Sequence, residues 1–346
     1  MKKKLLCAAL AAVMLMSLAA CGEAPAEEEE SAAPAEPSEA VEESSAPEGS
    51  GEPAETFVVG VCQLAPHTAL DAATQGFTDA LTDALGDAVE VKVQNAGGEQ
   101  NNCITIIDGY VADGVDLILA NATGALQAAA SATADIPVLG TAVTNYAIAL
   151  GLEDTMVEVL GNNVSGTSDL SPLDQQAAMV QELFPDAETV GLLYCSAEPN
   201  SVYQIEVIQS ELEALGFTCQ PFAFTDVNDL ASVTQSACDS CDVIYIPTDN
   251  TAANNTESIA NVVLAAGVPV IAGESGLCSG CGVATLSIDY YELGPITGEM
   301  AVPILTGEAD VSEMAIGYDE TVTKMYNAAN CEALGITVPE GYEPLA

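Results

Sequence analysis

From residue 57 onward, short apolar runs alternate along the chain with longer stretches whose apolar residues recur every three or four positions. Runs such as DLILAN have the length and composition of buried strands, whereas ALDAATQGFTDALTDAL has the period of an amphipathic helix. The predicted strands span residues 57–62, 89–95, 116–121, 136–143, 189–195, 217–224, 242–247, 268–273 and 282–288. Strands that alternate with helices predict an α/β fold, in which parallel sheets carry helices on both faces.

The alternation falls into two similar halves, residues 57–143 and residues 189–273. Between them lies GNNVSGTSDLSPLDQQ, residues 161–176, a Gly- and Ser-rich stretch that we expect to cross from one lobe to the other. Two lobes joined in this way enclose a cleft. Ligands of parallel α/β sheets bind beyond the carboxyl ends of the strands, so this cleft is the expected binding site.

The first 55 residues do not continue the pattern. Lysines, a short apolar run and the sequence LAAC are typical of a bacterial lipoprotein signal peptide over residues 1–20, with lipid attached to Cys21. An ordinary secretory signal or a short core helix is the alternative. Residues 21–55, rich in Glu, Pro, Ala and Ser, predict a disordered acidic linker. The apolar run is shorter than the roughly 20 residues that span a bilayer. We therefore expect an exported protein, anchored by lipid to the outer face of the cytoplasmic membrane.

The charge balance is strongly acidic, because 52 Asp and Glu residues face five lysines and no arginine. Such a surface repels nucleic acid and anionic lipid headgroups, since both are bound mainly through Lys and Arg. We expect no nucleic-acid partner, and contact with the membrane only through the lipid anchor. The lack of arginine also means that no guanidinium group can clamp a carboxylate or a phosphate.

The chain contains 11 cysteines, of which nine follow the predicted linker. Four of them form two C-x-x-C pairs, CDSC at residues 238–241 and CSGC at residues 278–281. The separation of the two pairs exceeds the roughly 15 to 20 residues of a zinc ribbon. Free thiols, disulfides and a metal site all stay open as interpretations of these cysteines.

His67 is the only histidine of the chain. A catalytic histidine needs a nucleophile or an orienting carboxylate, and a metal-binding histidine needs further ligands. The sequence contains no G-x-S-x-G, G-x-x-x-x-G-K or H-E-x-x-H motif. We therefore expect no enzymatic activity, no cofactor and no metal. His67 is expected to line the cleft at the start of the first helix, with a purely structural position at that helix start as the alternative.

Six motifs follow one another in the order VGVCQLAPHTALDAATQGF, TAVTN, NVSGTSDLSPLDQQ, LLYCSAEPNS, IPTDNTAA and PVIAGESG. Together with the closing NAANCEALGITVPEG they resemble the substrate-binding lipoproteins of ABC transporters, in the family that includes tryptophan- and tyrosine-binding members. The resemblance covers nearly all of the chain from residue 57. It implies a type I periplasmic-binding-protein fold, with two lobes hinged by three crossovers. The implied lobes are residues 56–165 plus about 289–317, and residues 166–288 plus about 318–346.

The resemblance also implies a function, the capture of a small molecule for an ABC permease in the membrane. The implied ligand is an amino acid with an aromatic or large apolar side chain. A branched amino acid, a nucleoside-like compound, a ligand-presenting sensor and a thiol or metal protein built on the C-x-x-C pairs are the alternatives. The sequence departs from the commoner family pattern at Tyr146, which follows TAVTN where Asp-Pro is more usual, and at APH before the first helix.

An amino acid presents a carboxylate and an ammonium to its binding site. Without arginine, the carboxylate must be met by backbone N–H groups at helix N-termini and by hydroxyl groups. The candidate hydroxyl groups are those of Thr123, Thr141, Thr144, Ser168 and Ser196. The candidate acceptors, for the ammonium in particular, are Asp169, Glu198, Asp249, Asn250 and Glu274. Gln63 and His67 complete the predicted set, and Tyr146 and Leu64 are candidates for the wall of a side-chain pocket. Helix capping or a turn is the structural alternative for most of these residues.

Overall fold

The computed structural model describes residues 56–345, and the predicted signal peptide, the lipidation site Cys21 and the acidic linker lie outside the described residues. Within this range the strands form two separate sheets, each covered by helices. We call each sheet with its helices a lobe and number strands and helices in chain order. None of the helices within residues 56–345 is both long and apolar enough to cross a bilayer.

The first lobe contains a sheet that has six strands among the described residues. These strands are β1 (Phe57–Gln63), β2 (Val89–Asn95), β3 (Leu117–Asn121), β4 (Val138–Thr141), β5 (Val164–Ser168) and β11 (Gly317–Tyr318). They lie in the order β11-β5-β4-β3-β1-β2, and every neighbouring pair is parallel. The helices of this lobe are α1 (Thr68–Leu85), α2 (Gln100–Asp113), α3 (Thr123–Ala132), α4 (Tyr146–Leu150) and α11 (Tyr290–Leu305).

The second lobe contains a sheet that has seven strands among the described residues. They are β6 (Thr189–Cys195), β7 (Thr218–Phe224), β8 (Val243–Ile246), β9 (Val270–Ala272), β10 (Ala284–Ser287), β12 (Thr323–Tyr326) and β13 (Glu343–Pro344), in the order β13-β12-β10-β9-β8-β6-β7. The pairs are parallel except for β10 with β12, which is antiparallel. The helices are α5 (Leu173–Leu183), α6 (Pro199–Ala214), α7 (Val227–Cys238), α8 (Asn250–Ala253), α9 (Thr256–Ala266), α10 (Ser275–Cys281) and α12 (Ala328–Leu334).

Strand β3 shows why the apolar runs form central strands. Successive side chains of a strand point to opposite faces of the sheet. Leu117 and Leu119 belong to the core beneath α1 and α11, whereas Ile118 belongs to the core beneath α2 and α3. All three are fully buried. A strand that is covered on both faces needs apolar residues at every position, which is the pattern of LILAN.

The chain passes between the lobes three times among the described residues: after β5, before α11 and between β11 and β12. The stretch 161–176 is only partly a crossing, because its residues Val164–Ser168 form β5 of the first sheet. The first sheet therefore extends past the expected lobe boundary at residue 165. The sequence VSGTS is polar, yet all five residues are buried. Composition alone therefore indicated a loop where tertiary packing makes a strand.

Helix α11 returns from the second lobe and packs closely against α1. A methyl group at Gly294 would collide with the backbone of Gly76 and Phe77, and one at Gly76 would collide with the backbone of Tyr291. The two glycines thus allow the helix backbones to approach each other. The close packing fixes α11 to the first lobe, although the strands before and after it belong to different sheets.

We expect Gly294→Ala to lower the free energy of unfolding by about 1 to 3 kcal/mol, because the added methyl group overpacks the contact between α1 and α11. Chemical denaturation measures the change. The matched control is Gly109→Ala in the interior of α2, where a methyl group meets no atom within 4 Å. That control should stabilise the protein by about 0.5 to 1 kcal/mol. Equal effects of the two substitutions would contradict the packing argument.

Candidate functional site

The two lobes enclose a small inner cavity of about 10 Å³ at the carboxyl ends of their strands. Its volume is close to that of a single water molecule. The residues that line it are His67, Ala69, Leu70, Ala142, Thr144, Asp169, Asn200, Thr248, Asp249, Asn250, Ala253, Glu274 and Tyr290. Both lobes contribute to this set, so the structure shows the lobes closed upon each other.

Asp169 enters the inner cavity from the end of β5. Its Oδ1 accepts a hydrogen bond from the Thr144 hydroxyl at 3.0 Å, and its Oδ2 accepts one from the Tyr290 hydroxyl at 2.8 Å. A carboxylate has about four acceptor positions. Two neutral hydroxyl groups leave part of that capacity open to a further donor.

Asp249 and Glu274 enter the cavity from the second lobe, where each caps the helix that follows its strand. Asp249 accepts hydrogen bonds from the backbone N–H groups of Ala252 at 2.8 Å and of Cys195 at 2.7 Å. Glu274 accepts hydrogen bonds from Gly276 and Leu277 at the start of α10. Capping therefore holds both side chains in place beside the cavity.

Burial governs the protonation of these three carboxyl groups. Burial, and then the charge of Glu198, raises the pKa of Asp249 to about 8. Burial likewise raises the pKa of Glu274 to about 7 and raises that of Asp169. No lysine lines the cavity in the described part of the chain. The inner cavity is thus rich in acceptors and lacks a cation.

His67 joins the lobes at the edge of this cavity. It stands at the N-cap of α1, and its Nε2 lies 3.2 Å from Oδ1 of Asn250 in the second lobe. Burial lowers the pKa of the imidazole, which favours the neutral ring. The side chain of His67 does not cap α1, so the first turn of this helix, whose residues Ala69 and Leu70 line the cavity, has no side-chain cap.

A larger outer cavity of about 360 Å³ lies beside the inner one and shares Asn200 and Asn250 with it. The first lobe contributes Leu64, Ala65, Gly97, Gly98, Glu99, Gln100, Gly124 and Gln127. The second lobe contributes Cys195, Ala197, Glu198, Pro199, Asn200, Thr225, Asp226, Val227, Asn250, Thr251, Asn254 and Asn255. Pockets for small organic ligands start at about 300 Å³, so the outer cavity has room for a side chain of an amino acid.

The structure places seven of the twelve predicted site residues at the two cavities. His67, Thr144, Asp169, Asp249, Asn250 and Glu274 line the inner cavity, and Glu198 and Asn250 line the outer one. Leu64 also lies at the outer cavity. The structure places Gln63, Thr123, Thr141, Ser168 and Ser196 at neither.

The residues away from the cavities are mostly engaged inside their own lobe. Gln63 bonds to the Ala65 carbonyl, to Asp71 and to Thr74. The Ser168 hydroxyl donates to the Thr144 carbonyl at 2.9 Å, and the Ser196 hydroxyl donates to the Phe224 carbonyl at 3.1 Å.

Thr141, Thr123 and Tyr146 are also buried in the first lobe. Thr141 accepts a hydrogen bond from the Thr167 hydroxyl at 3.1 Å, and Thr123 is the first residue of α3. Tyr146 donates to the Thr167 carbonyl at 3.0 Å, so its ring packs inside the lobe and lies at neither cavity.

Tyr290, Thr248 and Asn200 also line the inner cavity, although the sequence did not single them out. Tyr290 is the first residue of α11 and reaches Asp169 only because α11 packs on the first lobe. The sequence IDYYELG contains two adjacent tyrosines, and nothing in it separates the buried Tyr290 from the exposed Tyr291. Thr248 precedes Asp249 directly, so its place at the strand end was an available signal.

All nine cysteines in the described part of the chain are free thiols. Burial raises the pKa of Cys195 and of Cys241 to about 11, so both thiols stay protonated at neutral pH. Among residues 56–345, no three or more His, Cys, Asp or Glu side chains are arranged so that they could hold a metal ion.

Two α/β lobes that close over an acceptor-lined cavity define a binding protein of the two-lobed clamp type. The chain belongs to the family of ABC transporter substrate-binding proteins, whose family model matches residues 58–343. Proteins of this family bind their substrates outside the cytoplasm. The chain is 33% identical over 266 residues to a tyrosine-binding protein of Clostridioides difficile, and the match covers 76% of each protein.

Solved structures show the same fold. An ABC domain from Streptococcus pneumonia in complex with L-Trp is 32% identical, with a TM-score of 0.78 and coverage of 83% of this chain and 100% of that one. The ligand-free, open structure of a substrate-binding protein with adhesive properties from Clostridium difficile is 34% identical, with a TM-score of 0.65 and coverage of 84% and 99%. At similar identity the chain superposes better on the complex than on the open structure, in agreement with its closed lobes.

We expect the ligand-free protein to close more readily as the pH falls from about 8 to about 5. Glu274 and Asp249 have raised pKa values of about 7 and about 8 in the closed cleft, whereas exposed carboxyl groups titrate at roughly 4. Protons therefore bind preferentially to the closed state and stabilise it. Solution scattering should give a smaller radius of gyration at pH 5 than at pH 8.

The same measurement on Asp169→Asn provides a comparison, since this variant removes one buried carboxyl group. It should be more closed than the unmodified protein at pH 8. A radius of gyration that is independent of pH in both proteins would show that carboxylate burial does not control closure.

Proposed function

We propose that this protein captures a free amino acid with an aromatic or large apolar side chain for an ABC permease. The observation that carries the proposal is the convergence of Asp169, Asp249 and Glu274 on one cavity that no lysine lines in the described chain. A buried carboxylate is costly unless it is paired with a cation. The ammonium of an amino acid supplies that cation and donates three hydrogen bonds.

Groups beside the three carboxyl groups can bind the carboxylate and the side chain of the ligand. The uncapped first turn of α1 offers backbone N–H groups to the carboxylate of the ligand. The outer cavity adjoins the inner cavity at Asn250. Leu64 and Val227 provide apolar surface there for the aromatic ring of the ligand. The tyrosine-binding relative and the complex with L-Trp favour an aromatic side chain over the branched and nucleoside-like alternatives.

The inner cavity between the closed lobes is too small for an amino acid. The ligand therefore enters an open cleft, and the lobes close around it. When the lobes close without a ligand, three carboxyl groups are buried together without a cation. When they close around a ligand, its ammonium group provides a positive charge for these carboxyl groups. The ligand thus shifts the equilibrium from the open to the closed conformation, because it interacts more favourably with the closed one.

Calorimetric titration of the purified protein with the 20 standard amino acids and with nucleosides tests the proposal. We expect L-tyrosine or L-tryptophan to bind most tightly and to raise the melting temperature by mass action. Tighter binding of a branched amino acid or a nucleoside would replace the aromatic assignment. The absence of binding by every amino acid would refute the proposed function.

We expect Asp169→Asn to weaken amino-acid binding by about ten- to hundredfold, since it removes a charge-assisted hydrogen bond of about 1.5 to 3 kcal/mol. Asp169 is a better target than Asp249, because Asp249 accepts two backbone hydrogen bonds that an asparagine cannot both retain. The two partners of Asp169 are hydroxyl groups, which can rotate. Glu206→Gln on the exposed face of α6 makes the same change of charge and should leave the affinity unchanged.

The proposal includes a lipid anchor at Cys21 on the outer face of the cytoplasmic membrane. The support is the sequence LAAC after a short apolar run. We expect Cys21→Ala to release the protein from the membrane fraction, while Cys7→Ala within the apolar run should leave it there. Fractionation after a carbonate wash measures both. A Cys21→Ala protein that still sediments with membranes would contradict the anchor.

A further inference from the structure

The orientation of one amide in the cleft follows from Glu198. Its Oε2 accepts hydrogen bonds from the side-chain Nδ2 of Asn250 at 2.8 Å and from the backbone N–H of Asn250 at 3.0 Å. Its Oε1 accepts from the hydroxyl of Thr251 at 2.7 Å and from its backbone N–H at 2.8 Å. Oε2 also accepts from Nδ2 of Asn200 at 3.2 Å. A backbone N–H group can only donate, and one such group meets each oxygen, so both oxygens of Glu198 act as acceptors. The NH₂ group of Asn250 must therefore face Glu198, and its carbonyl oxygen faces away.

The carbonyl oxygen of Asn250 in turn fixes the imidazole of His67. It lies 3.2 Å from Nε2, and an amide oxygen can only accept. Nε2 must therefore carry a hydrogen. Burial lowers the pKa of His67 and so favours the neutral ring. A neutral ring with a hydrogen on Nε2 has a bare lone pair on Nδ1.

Nδ1 is buried, and it has no hydrogen-bond partner among residues 56–345. A buried acceptor without a partner is rare and unfavourable. His67 lines the inner cavity together with Asp249 and Glu274. The charged groups that act on the ring in the closed protein are Glu198 and Asp71, both of them acidic. The missing partner of Nδ1 is thus a donor, and one that suits an acidic environment.

We propose that Nδ1 of His67 accepts a hydrogen bond from the ammonium of the ligand, and that Glu198 and Asn250 are positioning residues that fix the required tautomer. The inference rests on the proposed function and makes it more specific. His67 then has two roles in one ring. Nε2 donates a hydrogen bond to Asn250 of the second lobe. Nδ1 accepts a hydrogen bond from the primary ammonium of the ligand.

The single histidine of the chain allows a direct spectroscopic test. Protein labelled with ¹⁵N-histidine gives one pair of ring nitrogen resonances in the presence of L-tyrosine or L-tryptophan, since His67 is the only histidine. We expect the tautomer with hydrogen on Nε2, and a shift of the Nδ1 resonance toward a hydrogen-bonded acceptor. A hydrogen on Nδ1 in the complex, or an Nδ1 resonance that does not respond to the ligand, would overturn the inference.

Two substitutions test the two steps separately. His67→Gln keeps an amide N–H group near the position of Nε2 and removes the Nδ1 acceptor, so the affinity should fall about tenfold. Asn250→Ala removes the oxygen that fixes the ring, and a resonance of the Nδ1–H tautomer should appear. Thr82→Ala, an exposed substitution near the C-terminal end of α1, is the control and should change neither quantity.

The outcomes separate this inference from the proposed function. Unmodified protein that binds no amino acid or other primary amine overturns both. Protein that binds an amino acid, with His67→Gln equal in affinity to the unmodified protein, overturns only the role of Nδ1. A pure Nε2–H tautomer in Asn250→Ala overturns the positioning role of Asn250.

Discussion

The burial of three carboxyl groups in one cleft, in a chain without arginine, is the constraint on which the rest of the site depends. An ionised carboxylate that leaves water loses several kcal/mol unless a cation replaces its hydration. Asp169, Asp249 and Glu274 have no such cation lining their cavity in the described chain. The closed cleft therefore lacks a positive charge beside these carboxyl groups, and their pKa values are raised. In the proposed function, the ammonium group of the ligand supplies the missing cation.

The fold brings these carboxyl groups together because both sheets place acidic residues in the same way. In both sheets the acidic residue follows the end of a parallel strand, and such strand ends meet where the lobes face each other. Asp249 and Glu274 are held by the helices they cap, whereas Asp169 is held by hydroxyl groups. The three carboxyl groups share one cavity, but they differ in the donors that they already bind and therefore in the further hydrogen bonds that they can accept.

Much of this arrangement was accessible from the sequence, because apolar runs buried on two faces have a clear composition and residues after them have a defined position. This explains why the sequence could predict that Asp169, Asp249 and Glu274 lie at the cleft. Strand β5 was missed because VSGTS is polar and is buried only by its neighbours. Tyr290 was missed because its place depends on α11 returning to the first lobe, which no local pattern encodes. The tautomer of His67 depends on a chain of contacts across the lobes.

The close packing of α11 on α1 has a consequence for the order in which a ligand meets the site. Tyr290 travels with the first lobe, and so do Thr144 and Asp169, which bond to one another. These groups form one half-site that persists when the lobes separate. Asp249 and Glu274 belong to the opposite lobe and arrive only on closing. From the proposed site we therefore expect the first lobe to govern the association rate of the ligand, and the second lobe to govern its residence time.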